Sequence, residues 1–240
     1  MNTINSGVKD ASALTRWVRY CLYAQIVLAI VAMFSGWLEY QLLQNFQQGF
    51  YSSEQAATAD AIANDARQRV VGLLYLVVFI VSGFLILKWI HRVSYNAKQL
   101  TNITMEFSPG WSVGWFFIPV FSLWKPYQAM SEIWQVSESP KNVSLTSSSL
   151  ILPLWWFCWL VNNFFSQYLF RQMRKMDSMP LPELLNLNLL GQAGEIITIA
   201  LAVVTLILVN RISQFQQQAI TAAKDQLANE PQRADAVVGL

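Results

Sequence analysis

Val70-Val71-Gly72-Leu73-Leu74-Tyr75-Leu76-Val77-Val78-Phe79-Ile80-Val81-Ser82-Gly83-Phe84-Leu85-Ile86-Leu87 carries no charge and almost no polarity. As a helix it measures about 27 Å, close to the ~30 Å hydrocarbon core that about 20 helical residues cross. A buried strand is excluded because strands rarely exceed ten residues. Three more stretches behave alike: Tyr20 to Leu38, Asn142 to Phe170, and Leu184 to Asn210, the last interrupted only by Glu195.

Composition supports the same reading. Of 240 residues, 54% are hydrophobic and 12% charged, about half the charge of an ordinary soluble domain. Mean hydropathy is +0.34. Ten Trp, two Cys and ten Gly exclude a disordered, disulfide-stapled or collagen-like chain. The formal charge of +2 is too small and scattered for nucleic-acid binding. Lys9, Arg16 and Arg19 precede the first apolar run, which is longer than a signal-peptide core and lacks a small-residue cleavage site, so it reads as an uncleaved anchor.

The basic residues orient the spans. With four crossings, one face holds Lys9, Arg16, Arg19, Lys88, Arg92, Lys98, Lys125, Lys141, Arg211, Lys224 and Arg233. The other keeps Arg67, Arg69, Arg171, Arg174 and Lys175, a split of 11 against 5. A fifth crossing at Phe107 to Trp124 would make it 9 against 7, a weaker cytoplasmic bias. That stretch also contains Pro109, Gly110, Gly114 and Pro119, which argue against a straight span.

The expected fold is therefore an all-α membrane protein with four transmembrane helices and both termini cytoplasmic. One integral domain covers residues 1–240, with spans at about 17–40, 68–90, 148–170 and 191–211. An outer helical hairpin occupies 41–67, with a turn from Gly49 to Ser53 and a Ser52/Gln55 capping box. Its acids Glu39, Glu54, Asp60 and Asp65 read as solvating charges or as a cation or partner site. A cytoplasmic amphipathic helix at 212–229 carries Ile212, Phe215, Ala219 and Ala222 at helical spacing. It is placed to pack on the His91–Leu100 extension of the second span. The last ten residues, with Pro231, read as a loose tail.

The middle of the chain holds the candidate site. Gly110 to Pro119 spans half a bilayer as a helix, Pro119 breaks it, and Lys125-Pro126 starts another. In that second helix Tyr127, Met130, Ile133 and Trp134 share a face. The result is a membrane-dipping and interfacial elbow over 107–137, with Trp and Tyr at headgroup depth. Ser108, Pro109, Gly110, Trp111, Trp115, Pro119, Trp124, Tyr127 and Trp134 form either a packing elbow or a pocket for a lipid or small ligand. Asn162, Asn163 and Glu195 are polar residues within spans, open to packing or ligand roles, and His91 is an interfacial hydrogen-bonder or a ligand.

His91-Arg92, Asn96-Ala97, Ser108-Pro109-Gly110-Trp111, Gly114-Trp115, Pro119, Leu123-Trp124-Lys125-Pro126-Tyr127-Gln128 and Trp155-Trp156…Trp159-Leu160…Asn162 follow in order. This succession resembles the bacterial membrane family filed as domain of unknown function 4328, over roughly residues 70–165. Ser122 stands where that family often has Asn, and Lys125 where Arg is common. The resemblance implies a multi-span bacterial inner-membrane protein and supplies no reaction, substrate or catalytic residue.

Enzyme motifs are absent from the sequence. There is no Gly-x-Ser-x-Gly elbow, His-Glu-x-x-His pair or Walker loop, and no span contains Asp. No catalytic residue, metal or cofactor is expected. The leading function is a non-catalytic scaffold, sensor or assembly component, whose partners are the bilayer and another membrane protein or a second copy. The alternatives are a carrier or channel for a small or lipid-like solute and, more weakly, a lipid-headgroup enzyme.

Topology is directly testable. Single cysteines at Ser53 and Asp177 are expected to react with an impermeant reagent on intact cells, while cysteines at Lys141 and Asp235 stay protected. Reaction at Lys141 and Asp235 with protection at Asp177 would establish five crossings instead.

Overall fold

The structure is a computed structural model that describes residues 7–140 and 149–238. Lys141 and the expected start of the third span at residue 148 lie outside the described residues. Those described are helical, without a strand. The helices are α1 (Ser12–Gln47), α2 (Glu54–Leu100), α3 (Pro109–Gly114), α4 (Lys125–Glu138), α5 (Ile151–Met173) and α6 (Leu181–Val238).

Three of these, α1, α2 and α6, are long and apolar enough to cross a membrane. The sequence reading expected four. The 23-residue α5 has the length but not the hydropathy, because Asn162, Asn163, Gln167 and three Trp dilute its apolar residues. The other three exceed what a bilayer needs: α1 has 36 residues, α2 has 47 and α6 has 58. Each therefore extends as helix beyond its apolar stretch, as the periodicity after Asn210 leads one to expect for α6.

Two expected boundaries are corrected. The loose tail is helical through Pro231 as far as Val238, in a stretch rich in the helix formers Ala and Gln. The cap at the start of α2 is Ser53, not Ser52: its Oγ accepts from the Ala56 N–H at 3.3 Å. Between α1 and α2, Gly49 takes a left-handed φ of 66°. Its N–H reaches the Phe46 carbonyl and the Phe50 N–H reaches that of Asn45, closing α1 with a Schellman motif.

The chain divides into two compact units. One comprises Met1–Arg19, Phe84–Pro153 and Ile207–Leu240; the other comprises Tyr20–Gly83 and Leu154–Leu206. Both bury apolar and polar residues, but their exposed surfaces differ. The first has an apolar core of Val18, Trp89, Ile90, Val93, Ala129, Met130, Ile133, Leu208 and Ile212. In the second, Ser35, Asn64 and Ser82 are buried while Val27, Ile30, Phe34, Leu73, Val77 and Ile80 are exposed. Such contiguous exposed apolar surface is what a lipid-facing bundle presents.

Within the second unit the helices pair antiparallel. Gln25 donates to Ser82 at 2.6 Å and Ser35 to Gln68 at 3.2 Å, so α2 descends along α1. Thr198 donates to Asn162 at 3.1 Å, which places α5 against α6. Gly194 lets them close: a Cβ there would lie 3.1 Å from Phe165 and 3.2 Å from Leu169.

In the first unit, Ile212 is wholly buried while Ala222 on the same helix is exposed. Ile212→Ala is expected to cost about 2–4 kcal/mol, and Ala222→Ser less than about 0.5 kcal/mol. Thermal unfolding in detergent measures the difference.

Candidate functional site

The predicted elbow lies wholly in the first unit and is built as two short turns between helices. Ser108, extended at φ −73° and ψ 156°, caps α3 by accepting from the Trp111 N–H, and Pro109 occupies its first turn. α3 ends at Gly114, where 3₁₀ geometry takes over from Trp115 to Phe117. The half-bilayer α-helix expected up to Pro119 is thus shorter. Ile118 is extended, as a residue before proline tends to be. A second 3₁₀ turn, Phe121–Leu123, leads to Lys125-Pro126 and α4, at the expected start.

Aromatic rings run along this path. Trp111 and Trp115 lie 4.8 Å apart, Trp115 and Phe121 5.2 Å, Phe121 and Trp124 5.5 Å. Trp111, Phe117, Val120 and Trp124 are exposed, and Tyr127 is half-buried. Trp134 departs from its expected place at headgroup depth. It is buried, edge-on to Phe215 at 5.2 Å, and its indole N–H donates to Glu138. The α4 face of Ala129, Met130, Ile133 and Trp134 is core, not an interfacial anchor. Gly110 and Pro119 are exposed, and His91 is exposed on α2.

What holds the elbow is a carboxylate of α4. The two oxygens of Glu132 accept the backbone N–H groups of Glu106 and Phe107, the latter at 3.0 Å. Lys125 pairs with Glu106 at 3.5 Å and sits 5.1 Å from the centre of the Phe107 ring. Ser112, buried in α3, meets Ser94 of α2 at 3.0 Å.

The same device recurs through this unit: side chains satisfy backbone groups. Asn96 pairs with both backbone groups of Lys9, accepting at 3.0 Å and donating at 2.8 Å. Gln216, buried on α6, donates to the Val93 carbonyl at 2.8 Å and to Ser137 at 3.0 Å. The expected packing of the C-terminal helix on α2 is therefore observed. Trp89 donates to Thr15 at 3.1 Å, and Thr15 meets Ser213 at 3.2 Å. Ser12 donates its N–H and hydroxyl to Asp10, and Arg92 and Arg16 lie nearby, so that carboxyl is held below the usual carboxylate range. The lowered pKa makes this contribution present above about pH 4 and lost as pH falls further.

Asn162, Asn163 and Glu195 belong to the second unit. Tyr75 donates to Glu195 at 2.9 Å, and Thr198, one turn on from Glu195, donates to Asn162. The adjacent Asn163 turns elsewhere. It donates to the Trp159 carbonyl of its own helix at 2.8 Å and lines an open groove of about 530 Å³ with Ser166, Gln167, Phe170, Arg171 and Arg174.

Further along this unit is a network that sequence reasoning missed. Glu39 accepts from Gln68 at 3.0 Å, from Asn188 at 2.8 Å and from Asn64 at 3.5 Å. Asn188 also donates to the Gly36 carbonyl, and Arg67 donates to Ser35 and Asn64. Glu39 thus ties α1, α2 and α6 together and is not a merely solvating charge. A signal was present: Ser35/Glu39, Asn64/Gln68 and Asn188/Gln192 are each polar pairs four residues apart.

These features define an all-helical protein with membrane-spanning character, in which one unit combines an exposed apolar surface with buried side-chain hydrogen bonds. The chain belongs to the family described as Domain of unknown function (DUF4328), whose model matches residues 53–214. The match reaches beyond the 70–165 resemblance and takes in the whole α2 arm that precedes Val70. No curated protein and no solved structure matches the chain.

Two predictions follow from this geometry. Glu132→Gln removes one acceptor from a pair of backbone N–H groups. It is expected to cost about 1–3 kcal/mol and to speed hydrogen exchange at Glu106 and Phe107. Asn162→Leu is expected to lose about 1 kcal/mol with its bond to Thr198, and Asn163→Leu less, because its partner is its own helix. Unfolding in detergent measures both.

Proposed function

We propose that this chain is a multi-pass protein of the bacterial cytoplasmic (inner) membrane, with both termini cytoplasmic and α5 as a fourth crossing beside α1, α2 and α6. It acts as a non-catalytic scaffold, sensor or assembly component. The 11-to-5 split of basic residues supports the orientation. The contacts of α5 along α6, at Asn162–Thr198 and at Gly194, support the fourth crossing.

The observation that carries the functional reading is how the first unit spends its polar side chains. Glu132, Asn96 and Gln216 all bond backbone groups of other segments, around a core in which Trp89, Met130, Ile133 and Ile212 are buried. Side chains committed this way fix the segments they join, as a docking body requires. Gln128 and Gln135 on α4 remain exposed, giving a polar docking face toward a membrane-protein partner or a second copy.

A second reading, a carrier or channel for a small or lipid-like solute, is favoured by the Tyr75–Glu195 and Thr198–Asn162 bonds inside the apolar unit. Photo-reactive residues at Gln128 and Gln135 in native membranes separate the two. The scaffold reading expects discrete protein adducts from both positions. Lipid adducts alone, together with solute flux into vesicles that Glu195→Gln abolishes, would replace it with the carrier.

A further inference from the structure

The groove on α5 is unlike the rest of the second unit's surface. Asn163, Ser166, Gln167, Phe170, Arg171 and Arg174 recur three, four, seven, eight and eleven residues on from Asn163, so they form one stripe about 16 Å long. Polar side chains facing outward over half a bilayer need an occupant that brings matching groups. The charge of the stripe says which kind. Arg171 and Arg174 stand one turn apart, and neither has an acidic partner among the described residues. Asp177 lies three residues beyond Arg174 in the next turn, without an ion pair to it.

We propose that this stripe binds an anionic phospholipid, with the two guanidinium groups holding its phosphate and Gln167 and Ser166 facing its glycerol ester region. Arginine suits the task because its fork matches phosphate oxygens bidentately. A second copy of the chain fits less well, since a two-fold contact along the stripe sets Arg171 and Arg174 against their own equivalents. Lipid binding also gives a reason for the Arg171, Arg174, Lys175 cluster on the face that the charge bias otherwise leaves poor in cations. The proposal rests on α5 crossing the bilayer.

The test reconstitutes the full chain in vesicles of equal phosphatidylglycerol and phosphatidylcholine, extracts it in mild detergent and quantifies retained lipid by mass spectrometry. Phosphatidylglycerol is expected to be enriched, with each arginine removed in Arg171→Gln and Arg174→Gln lowering that enrichment about fivefold. Arg171→Lys/Arg174→Lys is expected to retain part of it, and Lys88→Gln/Lys98→Gln all of it. Equal retention of both lipids by the natural chain overturns the proposal, as does equal loss in the Lys88/Lys98 variant. Inorganic phosphate supplies the remaining arm. If it raises thermal stability through the two arginines while phosphatidylglycerol adds nothing, the ligand is a soluble phosphate and the lipid site falls. Labelling of a cysteine at Asp177 keeps the crossing separate: external reaction without lipid enrichment overturns the groove alone. If the double Gln variant does not insert, the single Arg171→Gln and Arg174→Gln chains carry the comparison.

Discussion

Backbone groups in hydrocarbon have no water to bond, and this constraint shapes everything else in the molecule. It requires α1, α2 and α6 to be unbroken helix through their apolar stretches, and helix once started is easily continued by Ala, Gln and Leu. Each of the three therefore runs on past its apolar stretch. The broken part of the chain, Ser108 to Trp124, occurs where side chains and short 3₁₀ turns can satisfy the freed groups. Ser122 illustrates this: its N–H bonds the Ile118 carbonyl and its hydroxyl the Pro119 carbonyl, both at 2.7 Å.

The two units face different packing problems. In the first, burying Trp89, Ile90, Met130 and Ile133 removes apolar surface from water, the usual driving force. In the second, that force is absent between helices, and close approach and polar bonds replace it. Gly194 against Phe165 and Glu39 between Gln68 and Asn188 are the two forms this takes. Bonds of this kind average only about 0.6 kcal/mol in membrane bundles, so specificity must come from a network. Glu39 accepts from two helices other than its own, which makes it the node whose loss affects the most partners.

Much of the fold was legible because apolar runs and prolines act locally. The three apolar helices, the turn at Gly49 and the new start at Lys125-Pro126 all follow from neighbours in sequence, whereas the helix expected to run to Pro119 already ends at Gly114. What stayed hidden depends on tertiary context. Trp134 reads as an interfacial anchor until Phe215, 81 positions away, is known to cover it. Glu39 reads as a solvated acid because the distant amides that donate to it leave no mark beside it in the chain. Of the candidate residues, His91 and the Trp111–Trp124 aromatics lie in one unit and Asn162, Asn163 and Glu195 in the other, a division that no local pattern encodes.

The proposed crossing of α5 turns on how polar residues are distributed around a helix that has neighbours. Its surface divides into three strips. Asn162, Phe165 and Leu169 face α6; Asn163 to Arg174 line the groove; Phe157, Phe164 and Tyr168 are exposed on a third side. In the proposed crossing, the third strip is the one that faces the lipid tails, and it is apolar. A window average mixes all three and falls short, although α5 lies along α6 through its apolar stretch. Hydropathy measures what a lone helix would pay to enter a bilayer, whereas a bundled helix meets lipid with only part of its circumference. The polar residues that removed α5 from the set of apolar spans are thus the ones that hold it to α6 and form its groove.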